Sequence, residues 1–276
     1  MNYPNQRYVL YPDGSEQKAR QIAVNRMTSE ISSILSGCEP SIYLYGSSVL
    51  DDFHMGWSDI DILVLTKTRI SEQMAERLVG LRKTMNTVEP DNRYYRLFEG
   101  GMLTLRAFLT GEADRVVYWG TSGERVTDAY SFDSFCLTEL LMYGRLLHGE
   151  DIRGELKPPS FDKLYADIYR HYEAVRKYAR KPSRSIYSFG WMLDIARCIY
   201  TLRTKKIISK TDAGAWALQN QLCASPEALE YALRVRMNPL AYIHDDSTLD
   251  YAQTLSEPIQ RFADALKTEL ERAGQI

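Results

Sequence analysis

Apolar residues recur along the first half of the chain with two different periods. Between Glu16 and Leu35 they fall at Ile22, Ala23, Met27, Ile31 and Ile34, the spacing of one face of a helix. Ser41 to Tyr45 is a short apolar run closed by Gly46, which predicts a strand followed by a turn. Asp59 to Leu65 alternates Asp-Ile-Asp-Ile before running on as Leu-Val-Leu, and predicts a second strand. Ser71 to Arg82 opens on Ser-Glu and carries Met74, Leu78 and Leu81, a helix signature. Tyr94 to Phe108 reads as a strand interrupted by Gly100 and Gly101. Strands alternating with helices predict a compact sheet-bearing unit.

The period changes after about residue 130. Ser134 to Leu147, Phe161 to Tyr178, Ile186 to Thr204, Asp212 to Leu222, Pro226 to Met237 and Thr248 to Ala273 all carry helical spacing, separated by turn-rich stretches. Pro258 falls inside the last of these and predicts a kink or a division there. The pattern predicts an α+β chain, with a small sheet and flanking helices over 1–130 and an all-helical domain over 131–276.

Composition narrows the picture. A chain of 276 residues suits one large domain or two ordinary ones, and 45% hydrophobic with 25% charged residues can bury a core. A net charge of −2 argues against a general nucleic-acid surface. Cys38, Cys136, Cys198 and Cys223 are scattered without a CxxC pair, and read as reduced thiols of a cytoplasmic protein. His54, His148, His171 and His244 are equally dispersed, which gives little support for a Cys/His metal site. The N-terminal segment lacks the basic-then-apolar order of a signal peptide, and no apolar run approaches the ~20 residues that span a bilayer. The sequence is silent on oligomeric state.

Candidate chemistry is concentrated in YLYGSSVLDDFHMGWSDIDILVL, from Tyr43 to Leu65. Residues two apart on a strand share a face, so Asp59 and Asp61 project together. Two such carboxylates repel unless a cation lies between them, and Mg²⁺ is commonly held by one or two carboxylates plus substrate phosphates. Gly46 allows close backbone approach to a phosphate. The Ser47 hydroxyl, with the amides of a following helix N-terminus, can bind its oxygens. The stretch is suited to a metal-nucleotide.

Gly46-Ser47 followed by Ser58-Asp59-Ile60-Asp61 between apolar strands resembles the signature of nucleotidyltransferases related to DNA polymerase β. In the helical half, LDIARCIYTLRTKKIISKTDAGAWAL (Leu193 to Leu218) resembles the corresponding segment of the streptomycin/spectinomycin (aminoglycoside) adenylyltransferases. The resemblance implies a nucleotidyltransferase domain followed by a helical domain. It implies Mg²⁺-dependent transfer of AMP from ATP to a hydroxyl of a small-molecule acceptor, with pyrophosphate released. It also implies a third carboxylate on a later strand, as metal ligand or general base. RLFEGGML matches that pattern, with Arg96 and with Glu99 as the carboxylate. Arg197 and Lys210 match the family's basic residues at the nucleotide phosphates.

Plainer readings stand beside these. Asp59 and Asp61 can be solvated turn residues. Ser47 and Ser58 can be helix caps, a role compatible with phosphate binding. Glu99 can be an exposed strand residue, and Asp91 is the next candidate base. Arg197 and Lys210 can be ordinary charges at a helix end and a loop. Asp133 reads as an N-cap, and WGTSGER (Trp119 to Arg125) as a structured loop without the Gly-Lys-Ser/Thr of a P-loop. Trp57, Trp119, Trp191 and Trp216 read as core, and RKPSR (Arg180 to Arg184) as a solvated linker.

The chain also departs from the resemblance. An aromatic and an acidic residue that hold the drug in the resistance enzymes fall near Tyr178 and Ser183. Their surroundings here carry Arg176, Lys177, Arg180, Lys181 and Arg184. A family tyrosine at the nucleotide is replaced by Val235 or Arg236. On charge alone this predicts a neutral or anionic acceptor and weak streptomycin modification, because a polycation needs carboxylates around it. The alternatives are a nucleotidyltransferase acting on protein or tRNA, and a nucleotide-binding sensor without catalysis.

Overall fold

The computed structural model describes residues 15–112 and 115–274. The segment searched for a signal peptide, 1–14, lies outside the described residues.

The first helix, α1 (Ser15–Ile34), buries Ala23, Met27, Ile31 and Ile34 of the predicted stripe, but Ile22 at its edge is exposed. A six-stranded mixed sheet follows, built from β1 (Pro40–Tyr45), β2 (Ile60–Thr66), β3 (Phe98–Thr104), β4 (Val116–Gly120), β5 (Gly123–Thr127) and β6 (Arg145–His148). Its order is β5-β4-β3-β2-β1-β6. β1 and β2 therefore lie inside the sheet, which suits the apolar runs at residues 42–45 and 62–65. Between β2 and β3, α2 (Glu72–Val88) starts where Ser71 accepts the Met74 amide at 3.2 Å. Its Leu78 and Leu81 are buried.

Three sequence readings change here. Tyr94 to Phe108 is not one strand. A 3₁₀ turn at Tyr95–Leu97 precedes β3, and Thr104 caps a short helix, α3 (Leu105–Thr110), by accepting the Ala107 amide at 3.1 Å. The stretch read as a loop is an antiparallel hairpin, β4 and β5, with Gly120 opposite Gly123. The helix predicted to reach Leu147 ends at Tyr143 as α4 (Ser134–Tyr143), and the residues after Gly144 become β6. Among the described residues, the second half is thus helical apart from that one strand.

The remaining helices are α5 (Phe161–Tyr178), α6 (Gly190–Thr204), α7 (Lys210–Gln219), α8 (Pro226–Met237), α9 (Pro239–Tyr242), α10 (Asp246–Thr254) and α11 (Ser256–Ala273). The predicted last helix is divided at Leu255. Pro258 sits in the first turn of α11, where its missing N–H is not needed. α11 packs against α5 and α6, burying Ile259, Phe262, Ala263, Leu266 and Leu270 at helical spacing. Trp119 is fully buried and its indole donates to the Leu78 carbonyl at 3.0 Å. Trp57, Trp191 and Trp216 pack partly buried against the helical core.

Two compact units result. One comprises 15–43, 62–112, 115–130 and 146–151; the other comprises 44–61, 131–145 and 152–274. The loop bearing the candidate metal residues thus belongs with the helices. All four cysteines are free thiols. Among the described residues, no helix is long and apolar enough to cross a membrane.

Candidate active site

Within the helical unit, the chain leaves β1 at Tyr45 and turns through Gly46 at φ +69°. A Cβ at Gly46 would run into the Asp61 carboxylate, so only glycine lets that carboxylate lie over the turn. The turn is a single 3₁₀ turn, Gly46–Ser48, rather than the start of a longer helix, and no side chain caps it. Ser47 is half-buried and its hydroxyl reaches the Asp59 carbonyl at 3.5 Å. Ser48 beside it is buried, with a hydroxyl that has no partner. Asp59 stands immediately before β2, and Asp61 is its second residue. The structure therefore brings Gly46, Ser47, Asp59 and Asp61 together.

These residues suit a divalent cation and its phosphates. The donors are hard oxygens, the Asp61 carboxylate occupies the space that a Cβ would fill, and an orphaned hydroxyl adjoins the turn. Among the described residues, no three His, Cys, Asp or Glu side chains are grouped as a metal site. Further ligands would come from phosphate and water.

Ser58 is placed differently from Ser47. It is buried, its oxygen accepts the His54 amide at 3.0 Å, and it lies 3.5 Å from the Asp52 carbonyl. Its hydroxyl closes the loop on itself. Tyr187 leans over the same loop, donating to the Gly56 carbonyl at 3.2 Å. Burial and then the Asp59 charge push its phenol upward.

Behind this loop lies a cluster of charges on α4, α6 and α7. Asp133 caps α4 by accepting the Cys136 amide at 2.8 Å. Arg197 on α6 pairs with the buried Glu139 at 3.0 Å and stacks over Phe135. Lys210, the first residue of α7, pairs with Asp194 at 2.7 Å. Ser209 fixes that helix start by accepting the Asp212 amide at 3.0 Å. Burial raises the Glu139 carboxyl against the pull of Arg197. For Asp194, Lys210 and His171 overcome a larger burial effect and lower it. Burial pushes the Cys136 thiol well up, with Asp133, Glu139 and Asp61 adding in that order. α4 packs against the Gly46–Ser48 turn, which sets this cluster beside the loop.

Glu99 belongs to the other unit, on β3. There Gly100 has φ +147°, and a Cβ would strike the Ile62 carbonyl, so β3 lies tight against β2. Glu99 is half-buried and accepts the Tyr118 hydroxyl at 3.1 Å. Tyr118 comes from the hairpin missed in the sequence, and Arg125 covers its ring at 4.5 Å. Burial, then Glu99, raises the Tyr118 phenol and keeps it a donor. Arg96 is exposed in the preceding turn.

The basic segment does not behave as its charge suggested. Arg176 pairs with Asp264 on α11 at 2.8 Å. Arg184 bonds Asp246 and Asp250 on α10, and Ser256 donates to the Arg180 carbonyl at 2.8 Å. RKPSR is therefore a tethered turn, and two of its region's five cations face acids of the same unit. The charge argument for a neutral or anionic acceptor thereby loses two of its five cations.

Residues 25–100 match the family model of a nucleotidyltransferase domain. Residues 165–269 match that of the aminoglycoside adenylyltransferase C-terminal domain. Among solved structures, the chain is similar to spectinomycin adenyltransferase AAD(9) from Enterococcus faecialis, determined with ATP and spectinomycin. The TM-score is 0.62 at 18% identity, over 88% of this chain and 98% of that one, a likeness of fold. No curated protein matches the chain.

Proposed function

We propose that this enzyme, a nucleotidyltransferase with an aminoglycoside adenylyltransferase C-terminal domain, moves AMP from ATP to a hydroxyl of an aminoglycoside-type acceptor and releases pyrophosphate. The observation that carries this reading is the glycine turn closed over by Asp61, with Ser47 bonded toward Asp59. We assign residues 1–130 to the nucleotidyltransferase domain and 131–276 to the helical domain.

Gly46 and Ser47 present amides and a hydroxyl to the triphosphate, and Ser58 keeps the loop behind them closed. Asp59 and Asp61 hold Mg²⁺, which when bound neutralises phosphate charge during transfer. Glu99 is the base. It takes the proton of the acceptor hydroxyl as that oxygen bonds to the α-phosphorus and the bond to the β-phosphate oxygen breaks. The Tyr118 hydroxyl fixes one Glu99 oxygen and leaves the other for the proton. Lys210 and Arg197 offset charge on the departing pyrophosphate. Their partners Asp194 and Glu139 hold them in place and temper their charge before the nucleotide arrives.

The test is to incubate the purified protein with Mg²⁺ and ATP radiolabelled at the α-phosphate. Parallel reactions contain streptomycin, spectinomycin, a small-molecule extract, tRNA or a protein lysate. The proposal expects label on an aminoglycoside-type product that survives protease and nuclease. Label confined to tRNA or protein, or no transfer at all, overturns it.

A further inference from the structure

Asp52 and Arg236 are 184 residues apart in sequence, yet Nη2 of Arg236 lies 2.6 Å from Oδ2 of Asp52, with both side chains almost fully buried. The same Nη2 donates to the Asp52 carbonyl at 3.2 Å, and Nε donates to the Thr211 hydroxyl at 3.2 Å. That hydroxyl donates in turn to Asp52, whose Oδ1 also meets His54 Nε2 at 3.0 Å. The guanidinium covers the Trp57 ring at 5.6 Å. Burial alone would raise the Asp52 carboxyl, but Arg236, His54 and Thr211 hold it well below the usual carboxylate range.

These bonds converge on one backbone segment. Arg236 grips the loop at the Asp52 carbonyl and at Trp57, while Ser58 closes the loop just before Asp59. Thr211 directly follows Lys210, so the same clasp reaches the start of α7. A buried ion pair is a poor source of stability compared with apolar packing; its attested use is to fix one geometry. We infer that Arg236 is a positioning residue for nucleotidyl transfer, which sets the Asp52–Ser58 loop, and through it Asp59 and Asp61, against the Lys210 end of α7. The inference rests on the proposed function and deepens it.

Arg236→Ala should lower single-turnover transfer about a hundredfold, the scale of a small misplacement of reacting groups. ATP binding should remain, with the Mg²⁺ midpoint moved to higher concentration. Millimolar guanidine hydrochloride, which can refill the space between Asp52 and Trp57, should restore part of the rate, and urea should not. Hydrogen exchange of amides 50–58 should quicken in the variant and slow again with guanidinium. The double variant Asp52→Asn/Arg236→Met leaves no unpaired buried charge, and should fold yet transfer slowly with a loose loop. A wild-type rate in the double variant, or protected loop amides in a slow Arg236→Ala, would overturn the inference. Wild-type protein assayed alongside separates the two readings. If it transfers no AMP, the proposed function fails; if it transfers and the variants match it, only the role of Arg236 fails.

Discussion

The loop between Gly46 and Asp61 and the segment between Arg176 and Arg184 are both short, polar and dense in charge, and the fold uses their charges in opposite ways. In the loop, Asp52 turns inward onto Arg236, whose side chain is 3% exposed. In the segment, Arg184 turns outward, 42% exposed, onto the still more exposed Asp246 and Asp250. The first arrangement removes two charges from water and fixes a geometry. The second neutralises charge at the surface with little energetic consequence. Local charge in a sequence is thus no guide to the potential that a ligand meets. What decides it is the partner, and partners come from distant elements.

The sharpest way to break the contrast is at the end of the loop. Asp59→Asn or Asp61→Asn should abolish AMP transfer while the melting temperature holds or rises, because the change removes carboxylate repulsion at a site and leaves the core untouched. Steady-state transfer and calorimetry on the same samples check both halves of that expectation. Glu99→Gln, outside both regions, sets the scale. Its chemical step should fall by about 10² to 10⁴ while Mg-ATP still binds, as rapid-quench and titration calorimetry would show.

Next in size is the clasp itself. Asp52→Ala leaves Arg236 buried and unpaired, and should destabilise the protein by about 3 to 5 kcal/mol in denaturant unfolding. Acid should reveal the same carboxylate. Asp52 stays ionised when folded, whereas the unfolded chain takes up its proton near pH 4. Its contribution is therefore complete above that pH and is lost progressively as the pH falls further. Unfolding free energy against pH should drop below about pH 4 more steeply in wild type than in Asp52→Asn. The smallest effect belongs to the outer segment. Arg184→Met should leave the denaturation midpoint and the transfer rate within error.

What could be read from the sequence was local. Gly46, Ser47, Asp59 and Asp61 lie close along the chain, and a turn followed by period-two alternation declares their geometry. Phe161–Tyr178 and Pro226–Met237 were legible to the residue because Ser160 and Pro226 mark their starts. The hairpin β4–β5 was hidden because its turn residues look like any loop, and Tyr118, the partner of Glu99, was hidden with it. β6 was hidden because Arg145–His148 continues an apolar helical pattern past Gly144. The clasp had no local signal at all, since Asp52, Thr211 and Arg236 meet only after the helices pack. The Glu139–Arg197 and Asp194–Lys210 pairs were half visible: the cations could be matched to a motif, and the acids that hold them could not.

The claim that joins these observations is that the loop serves AMP transfer rather than nucleotide binding or hydrolysis. Phosphorus NMR of wild-type protein with Mg-ATP and spectinomycin follows every phosphate at once. The account predicts a new phosphodiester resonance growing with pyrophosphate in equal amounts, and neither with Asp61→Asn. ADP with orthophosphate or a phosphorylated acceptor, or unchanged ATP across a full panel of hydroxyl acceptors, would contradict it.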